Sequence, residues 1–349
     1  MIDLRTVWQQ LRPRQTIGCD CGAAAVKMVH LEQRGEQSYL LRSAAQTLEG
    51  PEDVAAEAAL RAVVHELGIR RPRVALNVGD RHVLMERMEF AKMPERDLQL
   101  AIRWHFRKEI EGALERLRVT YSTVAAVDGG KRRLLIGYGV DRRYLEQRTA
   151  LAKRVGIHLA TLEPNATALL AAFAHSRGFV PNQTTAVIDV GDQSSMFLIF
   201  ANATIRFVRR MPDLYLDQLA TRLQPTPDDA IPQRRKALHN VLMHREGIAE
   251  ETWQMLRDFY STWLVEVQRS IDTYLALGSE QQPLTVDNLV LTGGGALLPD
   301  IAEIAHKNLG IPCETLDPFL HMITPDGGRV TLRDGPLYAC AVGLALPQG

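Results

Sequence analysis

No stretch of the chain approaches the roughly 20 consecutive apolar residues that a membrane-spanning helix requires. The longest candidates among its 349 residues, 166–174 and 196–201, are the size of core segments. The opening MIDLRTVWQQLRPRQ lacks both the apolar stretch and the small-residue cleavage site of a secretory signal. Cysteine is scarce. Cys19, Cys21, Cys313 and Cys340 form no C-x-x-C pair and no framework spacing, so reduced thiols in a cytoplasmic protein are expected. Cys19 and Cys21 share one face of a strand, but no third or fourth ligand accompanies them, and a structural zinc is not expected. Net charge is absent as well: 41 Lys and Arg balance 41 Asp and Glu. No bulk field then recruits nucleic acid or anionic lipid, nucleic acid is excluded as an expected partner, and basic stretches such as 206–210 and 233–236 read as solvated surface.

What is present is an alternation of strands and helices in two similar passes. The first opens with three strands (16–21, 26–31 and 37–46) of two-residue periodicity, punctuated by Gly18, Gly22 and Gly35. A helix over 51–67 follows, with Pro51 in its first turn and Gly68 as its stop, then a strand over 73–78. The segment 83–128 reads as an insertion: strand 83–90, helix 94–110 and strand 117–127. Leu98, Ile102, Phe106 and Ile110 recur every four residues along that helix as one apolar stripe. Strand 133–140, helix 142–155 and strand 157–162 resume the sheet, and Glu163-Pro164 opens an Ala/Leu-rich helix. The second pass begins with strands over 184–191, 195–200 and 204–210. The Pro- and Asp-rich stretch 224–232 breaks the pattern. Helix 250–277 follows, with Trp253, Leu256, Tyr260, Trp263, Val267, Ile271 and Tyr274 on one face. Strand 286–292 runs into Gly293-Gly294-Gly295, then helix 298–309, strand 312–316 and a terminal helix near 335–346.

Three glycine turns follow strands, and two carry an acid at the same offset. They are Gly18-x-Asp20-x-Gly22, with Lys27 five residues beyond, Asp189-x-Gly191-Asp192, and the Gly293–Gly295 triplet. An Asp-x-Gly hairpin lets backbone N–H groups approach phosphate oxygens with no Cβ in the way. Its carboxylate meets Mg²⁺ directly or through water, since that ion keeps most of its hydration. Two such hairpins facing each other would clamp a polyphosphate, and Lys27 would add a point charge. The triplet would admit adenine or the α-phosphate and open a helix whose N-terminus favours anions. Each piece alone is an ordinary turn. Their joint order carries the inference.

At these residues the sequence resembles a known group. Segments 16–31 (TIGCDCGAAAVKMVHL), 186–195 (AVIDVGDQSS) and 289–299 (LVLTGGGALLP) look like the two phosphate motifs and the adenosine motif of the actin-like ATPase superfamily. Segments 88–110, 162–164 and 264–274 extend the likeness to the PilM family of type IV pilus assembly proteins, itself similar to the cell-division protein FtsA. The resemblance implies an α/β, actin-like (ribonuclease H-like) two-lobed fold with an inserted FtsA/PilM-type subdomain. Its parts would be an N-terminal extension (1–15), a first lobe in two pieces (16–82 and 129–180), the insertion (83–128) and a second lobe (181–349) with a helical subdomain at 222–285.

The resemblance also implies roles. Asp20 and Asp189 would organise Mg²⁺, Gly22 and Gly191 would bring backbone to the phosphates, and Lys27 would meet the β- or γ-phosphate of ATP or ADP. Glu163 would position the attacking water, unless it is simply a helix-start acid favoured by the dipole. Gly293, Gly294 and Gly295 would line the adenosine, and Glu266 and Arg269 would contact ribose or adenine, the plainer alternative being a solvated i,i+3 pair. The implied partner is a PilN-like bitopic inner-membrane protein, held by its cytoplasmic N-terminal peptide near 83–90 and 117–127. Pilus motor ATPases, the platform protein and self-association are further implied contacts, all on the cytoplasmic face of the inner membrane. Ala23, Ala24 and Ala25 replace the serines usual after the second glycine, and each lost charge-assisted bond is worth ~1.5–3 kcal/mol. Asp192 adds negative charge at the second loop. Slow or absent hydrolysis is therefore expected. An FtsA-like division scaffold, a GspL-like secretion platform protein and an active actin-fold ATPase are the alternatives.

Overall fold

The computed structural model describes residues 14–50, 52–109, 114–211, 214–224, 231–244, 247–279 and 283–347. The chain runs through β1 (Arg14–Cys21), β2 (Ala25–Arg34), β3 (Gln37–Thr47), α1 (Glu52–Leu67), β4 (Arg73–Val78), β5 (Val83–Ala91), α2 (Glu95–His105), β6 (Leu117–Val127), β7 (Arg132–Asp141), α3 (Arg142–Val155) and β8 (His158–Pro164). It continues with α4 (Asn165–Ser176), β9 (Thr185–Val190), β10 (Ser195–Ala201), β11 (Thr204–Met211), α5 (Leu216–Leu223), α6 (Ile231–Met243), α7 (Glu250–Leu275), β12 (Asn288–Thr292), α8 (Ile301–Leu309), β13 (Cys313–Thr315) and α9 (Ala339–Ala345). These elements cluster in two units, one drawn from 1–77, 150–178 and 316–349 and the other from 78–149 and 179–315.

In the first unit β1, β2 and β3 form an antiparallel meander, and the sheet order is β3-β2-β1-β4-β8. One sheet face packs on α1: Leu60 and Val63 meet Cys19, Met28 and Leu76, joined by Leu151 and Ala152 from the second half of α3. Each large apolar side chain buried in this way contributes about 1.5–3 kcal/mol. Cys19 and Cys21 lie in that core with their sulfurs 4.0 Å apart, as free thiols. The opposite face receives α9, whose Ala341, Val342 and Ala345 pack with Val29 and Leu31. Gly18 therefore has a different task from the phosphate-loop role suggested by its place in the motif. A Cβ there would lie 2.5 Å from the Ala345 nitrogen, so the missing side chain is what lets α9 lie against β1. This packing groups the C-terminal segment with the first unit.

The second unit repeats the device. Its main sheet has the order β11-β10-β9-β12-β13, matching the first sheet strand for strand. The apolar stripe of α7 is buried at Leu256, Tyr260, Trp263, Val267, Ile271 and Tyr274, with Trp253 partly covered beside it. The insertion does not close at 128 as expected: strand β7, expected to resume the main sheet, instead lies between β5 and β6 in a separate three-stranded sheet, β5-β7-β6, because it pairs antiparallel with both. Leu98, Ile102 and Phe106 close one face of it against Met88, Leu117 and Leu135.

Several boundaries differ from the expectation. The α2 stripe ends in a 3-10 turn at Phe106–Lys108, and Ile110 lies outside the described residues, as do Pro51, 1–13 of the expected extension and 225–230 of the expected break. Two helices, α5 and α6, were not read individually from the sequence, although α6 falls within the helical subdomain expected at 222–285. Pro232 looks like a breaker but occupies the second position of α6, where a missing N–H and a fixed φ are tolerated. The expected helix over 298–309 starts late. Pro299 disfavours helical geometry at Leu298 (φ −59°, ψ 139°), so the glycine triplet opens a short 3-10 turn (Gly294–Leu297) and α8 begins only at Ile301. No anion-favouring α-helix start lies at the triplet.

Candidate functional site

The β1–β2 register places Asp20 opposite Lys27. The Lys27 ammonium sits 2.7 Å from the Asp20 carboxylate, with both side chains largely buried. The other carboxylate oxygen accepts a 2.7 Å hydrogen bond from the Asn77 side-chain amide at the end of β4. That amide also donates to the Asn165 side chain at 3.1 Å, while the Asn77 side-chain oxygen accepts from the Cys21 N–H at 2.9 Å. Three elements thus fix one carboxylate. The Gly22 N–H closes the hairpin by donating to the Ala25 carbonyl at 3.0 Å. A Cβ on Gly22 would stand 3.7 Å from the Lys27 ammonium and 3.8 Å from the Asp20 carboxylate. The glycine therefore keeps open the space directly over the ion pair.

Asn77 and Asn165 were not among the residues the motifs single out. A signal existed for each: Asn77 is the one polar side chain in the apolar run VALNV, and Asn165 follows Glu163-Pro164 at a helix start. Glu163 lies on β8, two residues before Asn165. Burial pushes its carboxyl above the usual carboxylate range, with a side-chain hydrogen bond to Thr161 pulling the other way. A carboxyl shifted in that direction moves toward the neutral range in which general bases operate.

The second hairpin copies the first. The Gly191 N–H donates to the Ser194 carbonyl at 2.9 Å, and Asp189 stands two residues before it, as Asp20 does before Gly22. Because β12 runs parallel to β9 with Thr292 level with Asp189, the glycine triplet emerges beside that acid. Gly293 has φ +72°, and a Cβ on it would strike the Asp189 carboxylate and come within 2.8 Å of the Val190 carbonyl. Here backbone conformation and close approach both require glycine. Asp189 and the triplet, about 100 residues apart in the chain, form one local arrangement.

Asp192 does not project its charge as the sequence suggested. Its carboxylate is turned toward the Arg235 guanidinium on α6, 3.5 Å away, with both side chains under one-tenth exposed. The loop is further tied down by α5: Leu216 N–H bonds the Gly191 carbonyl and Asp217 N–H the Asp192 carbonyl, each at 2.9 Å. At the foot of the hairpin the Ser195 hydroxyl is buried with no hydrogen-bond partner among the described residues.

Glu266 and Arg269 lie on α7. Glu266 bonds Arg269 at 2.6 Å and Arg209 on β11 at 3.3 Å. The register runs from Arg209 through Phe197 and Ile188 to Leu291 on β12. Three strand spacings, roughly 14 Å, therefore separate Arg209 from β12. Among the described residues no group of three His, Cys, Asp or Glu converges to hold a metal. No described helix is long and apolar enough to cross a membrane.

Two five-stranded sheets of identical order, each opening with an Asp-x-Gly hairpin, define the actin-like ATPase fold, and that is the class of this chain. Its residues 18–348 match the family described as type IV pilus assembly protein PilM. The chain belongs to the PilM family. It is similar to a solved PilM-PilN type IV pilus biogenesis complex, at 17% identity over 95% of this chain and 98% of that one, with a TM-score of 0.77. The ethanolamine utilization protein EutJ from Carboxydothermus hydrogenoformans matches at 15% identity over 96% and 90%, TM-score 0.55. MreB 5 of Spiroplasma citri, solved bound to AMPPNP, matches at 12% identity over 95% and 94%, TM-score 0.50.

Proposed function

We propose that the chain binds ATP or ADP with Mg²⁺, hydrolyses it slowly or not at all, and acts as a scaffold in type IV pilus assembly. The observation that carries this reading is the duplicated hairpin, in which Asp20 with Gly22 and Asp189 with Gly191 take the same local geometry. The space kept open over the Asp20–Lys27 pair, and a triplet that tolerates no side chain at Gly293, fit a ligand rich in phosphate oxygens. Asp20 and Asp189 would organise Mg²⁺, directly or through its water shell. Lys27 would exchange its bond to Asp20 for a phosphate, and Gly293, Gly294 and Gly295 would admit the adenosine. Glu163 would orient water. Without hydroxyls at Ala23, Ala24 and Ala25, the nucleotide is a structural ligand rather than a fuel, shifting states only by its differential affinity for them.

At millimolar Mg-ATP, a ligand present at about 100 times its Kd stabilises by about 2.7 kcal/mol, a rise in melting temperature of roughly 5–10 °C for a chain of this size. Asp20→Asn and Asp189→Asn are each expected to abolish that rise in differential scanning fluorimetry. A wild-type protein that melts at the same temperature with and without millimolar nucleotide would refute nucleotide binding.

The proposed partner is a PilN-like protein, by likeness to the PilM-PilN complex named above; in this reading it is a bitopic inner-membrane protein captured by its short cytoplasmic N-terminal peptide. Such capture would hold the chain at the cytoplasmic face of the inner membrane. The segments implied for this contact are β5 and β6, the two outer strands of the inserted sheet, and outer strands offer backbone groups for pairing with an extended peptide. A fluorescent peptide copying the partner's N-terminus is expected to bind with micromolar affinity in anisotropy titrations. Equal binding of a scrambled peptide would rule the capture out.

A further inference from the structure

The helix that closes the inserted sheet has a second face on which Arg96, Leu100 and Trp104 are exposed and Arg103 is part-exposed. With 3.6 residues per turn, Leu98, Ile102 and Phe106 point inward and are buried. Arg96, Leu100, Arg103 and Trp104 fall on the opposite side within a sector of about 100°, and Arg107, in the 3-10 turn that follows, comes back beside Trp104. Trp104 is 56% exposed and Leu100 42% exposed, among the most exposed large apolar side chains described. The Arg107 guanidinium lies 5.5 Å from the centre of the Trp104 ring.

The charges on this face are not balanced locally. Two other arginines of this region are paired, Arg132 with Glu89 and Arg116 with Asp141. Arg96, Arg103 and Arg107 reach no carboxylate among the described residues. Glu95, the first acid of the helix, is held by Tyr121 and Gln99, which leaves Asp97 as the acid at the border of the sector. A chain with zero net charge has thus gathered three arginines around an exposed Trp and Leu.

We propose that this outer face of α2 is a docking surface for anionic phospholipid headgroups. The charge complementarity decides the occupant. Guanidinium groups present paired donors matched to phosphate, and a Trp flanked by Arg on one helix face is suited to the headgroup boundary, where the ring is partly buried and the charged ends stay with the phosphates. An extended peptide is captured in a groove or on a strand edge, whereas apolar and basic side chains here alternate on a single exposed helix face that suits a plane. The surface is independent of the nucleotide reading. It would orient a scaffold that its partner already holds near the membrane.

The test uses the full chain in vesicle co-sedimentation, comparing pure phosphatidylcholine with phosphatidylcholine containing about a third phosphatidylglycerol, at low and at physiological salt. Partition into the anionic vesicles only, weakening as salt rises, is the expected result. The triple variant Arg96→Gln, Arg103→Gln, Arg107→Gln should lose roughly a hundredfold in partition coefficient, as three neutralised charges imply. Leu100→Ser with Trp104→Ser should lose binding while keeping the wild-type melting temperature, because both side chains are exposed. Equal partition of the triple variant and wild type would overturn the proposal. So would a wild type that ignores anionic vesicles, including one that instead binds a soluble polyglutamate peptide through the same arginines.

Discussion

Alanine at Gly343 is expected to lower the melting temperature by roughly 6–12 °C, the largest effect of any single methyl group in the molecule. Its Cβ would collide with the Ala168 carbonyl, with the carbonyl carbon 2.5 Å and the Ala168 Cα 3.0 Å away. These atoms are backbone of α4, so no rotamer change relieves the clash, and α9 and α4 must separate. Overpacking of this kind costs about 3 kcal/mol or more, and each kcal/mol moves the transition by roughly 2–4 °C in a large domain. The separation would also strip cover from Val29 and Leu31 on the first sheet, which share a core with α9. Gly18→Ala should behave similarly, because it pushes the same helix off β1 from the other side. Gly79→Ala is the control: its nearest neighbour would be the Tyr144 hydroxyl at 3.6 Å, an ordinary contact. Thermal unfolding followed by circular dichroism decides the matter, and a fall of less than 2 °C for Gly343→Ala would mean that the helices do not pack as closely as described.

These glycines show why some of the structure was legible in the chain and some was not. The two-residue and four-residue periodicities belong to single elements, so the meanders, the α2 stripe and the buried face of α7 could be read directly. The duplicated Asp-x-Gly hairpin was equally local. Gly18 was not, because its reason lies at Ala341 and Ala345, more than 300 residues away. Asn77 escaped notice for the same cause: it matters only once β4 lies beside β1 and brings its amide to Asp20. Pro232 and Pro299 mislead in opposite senses. One sits harmlessly inside the first turn of α6, while the other delays α8 and leaves the glycine triplet on a 3-10 turn. Asp192 is the sharpest case, since its charge could be counted from the sequence but the counter-ion that faces it, more than 40 residues further on, could not.

That counter-ion supplies the second large expectation. Arg235→Met removes the guanidinium facing Asp192 while keeping a side chain of similar reach, leaving a carboxylate that is only 9% exposed. Deleting one partner of a buried ion pair costs about 3–5 kcal/mol, and the 3.5 Å separation here puts the expected loss near the lower end, about 3 kcal/mol in denaturant unfolding. Asp192→Asn combined with Arg235→Met should recover at least half of it, because the double variant removes both charges of the pair. The difference between the cycle's arms measures the coupling. The same pair bears on ligand binding. Asp192 follows Gly191 in the second hairpin, so an unneutralised carboxylate there would repel the phosphates proposed for that loop, and Arg235→Met should shrink the Mg-ATP thermal shift beyond its effect on stability. Helix α6 carries Arg235 and also lies against the 3-10 turn of the glycine triplet. The ion pair therefore joins the acid loop to a helix that also packs on the turn proposed to meet the adenosine. An Arg235→Met protein within about 0.5 kcal/mol of wild type, the range of an ordinary surface substitution, would show that the pair does not perform this task.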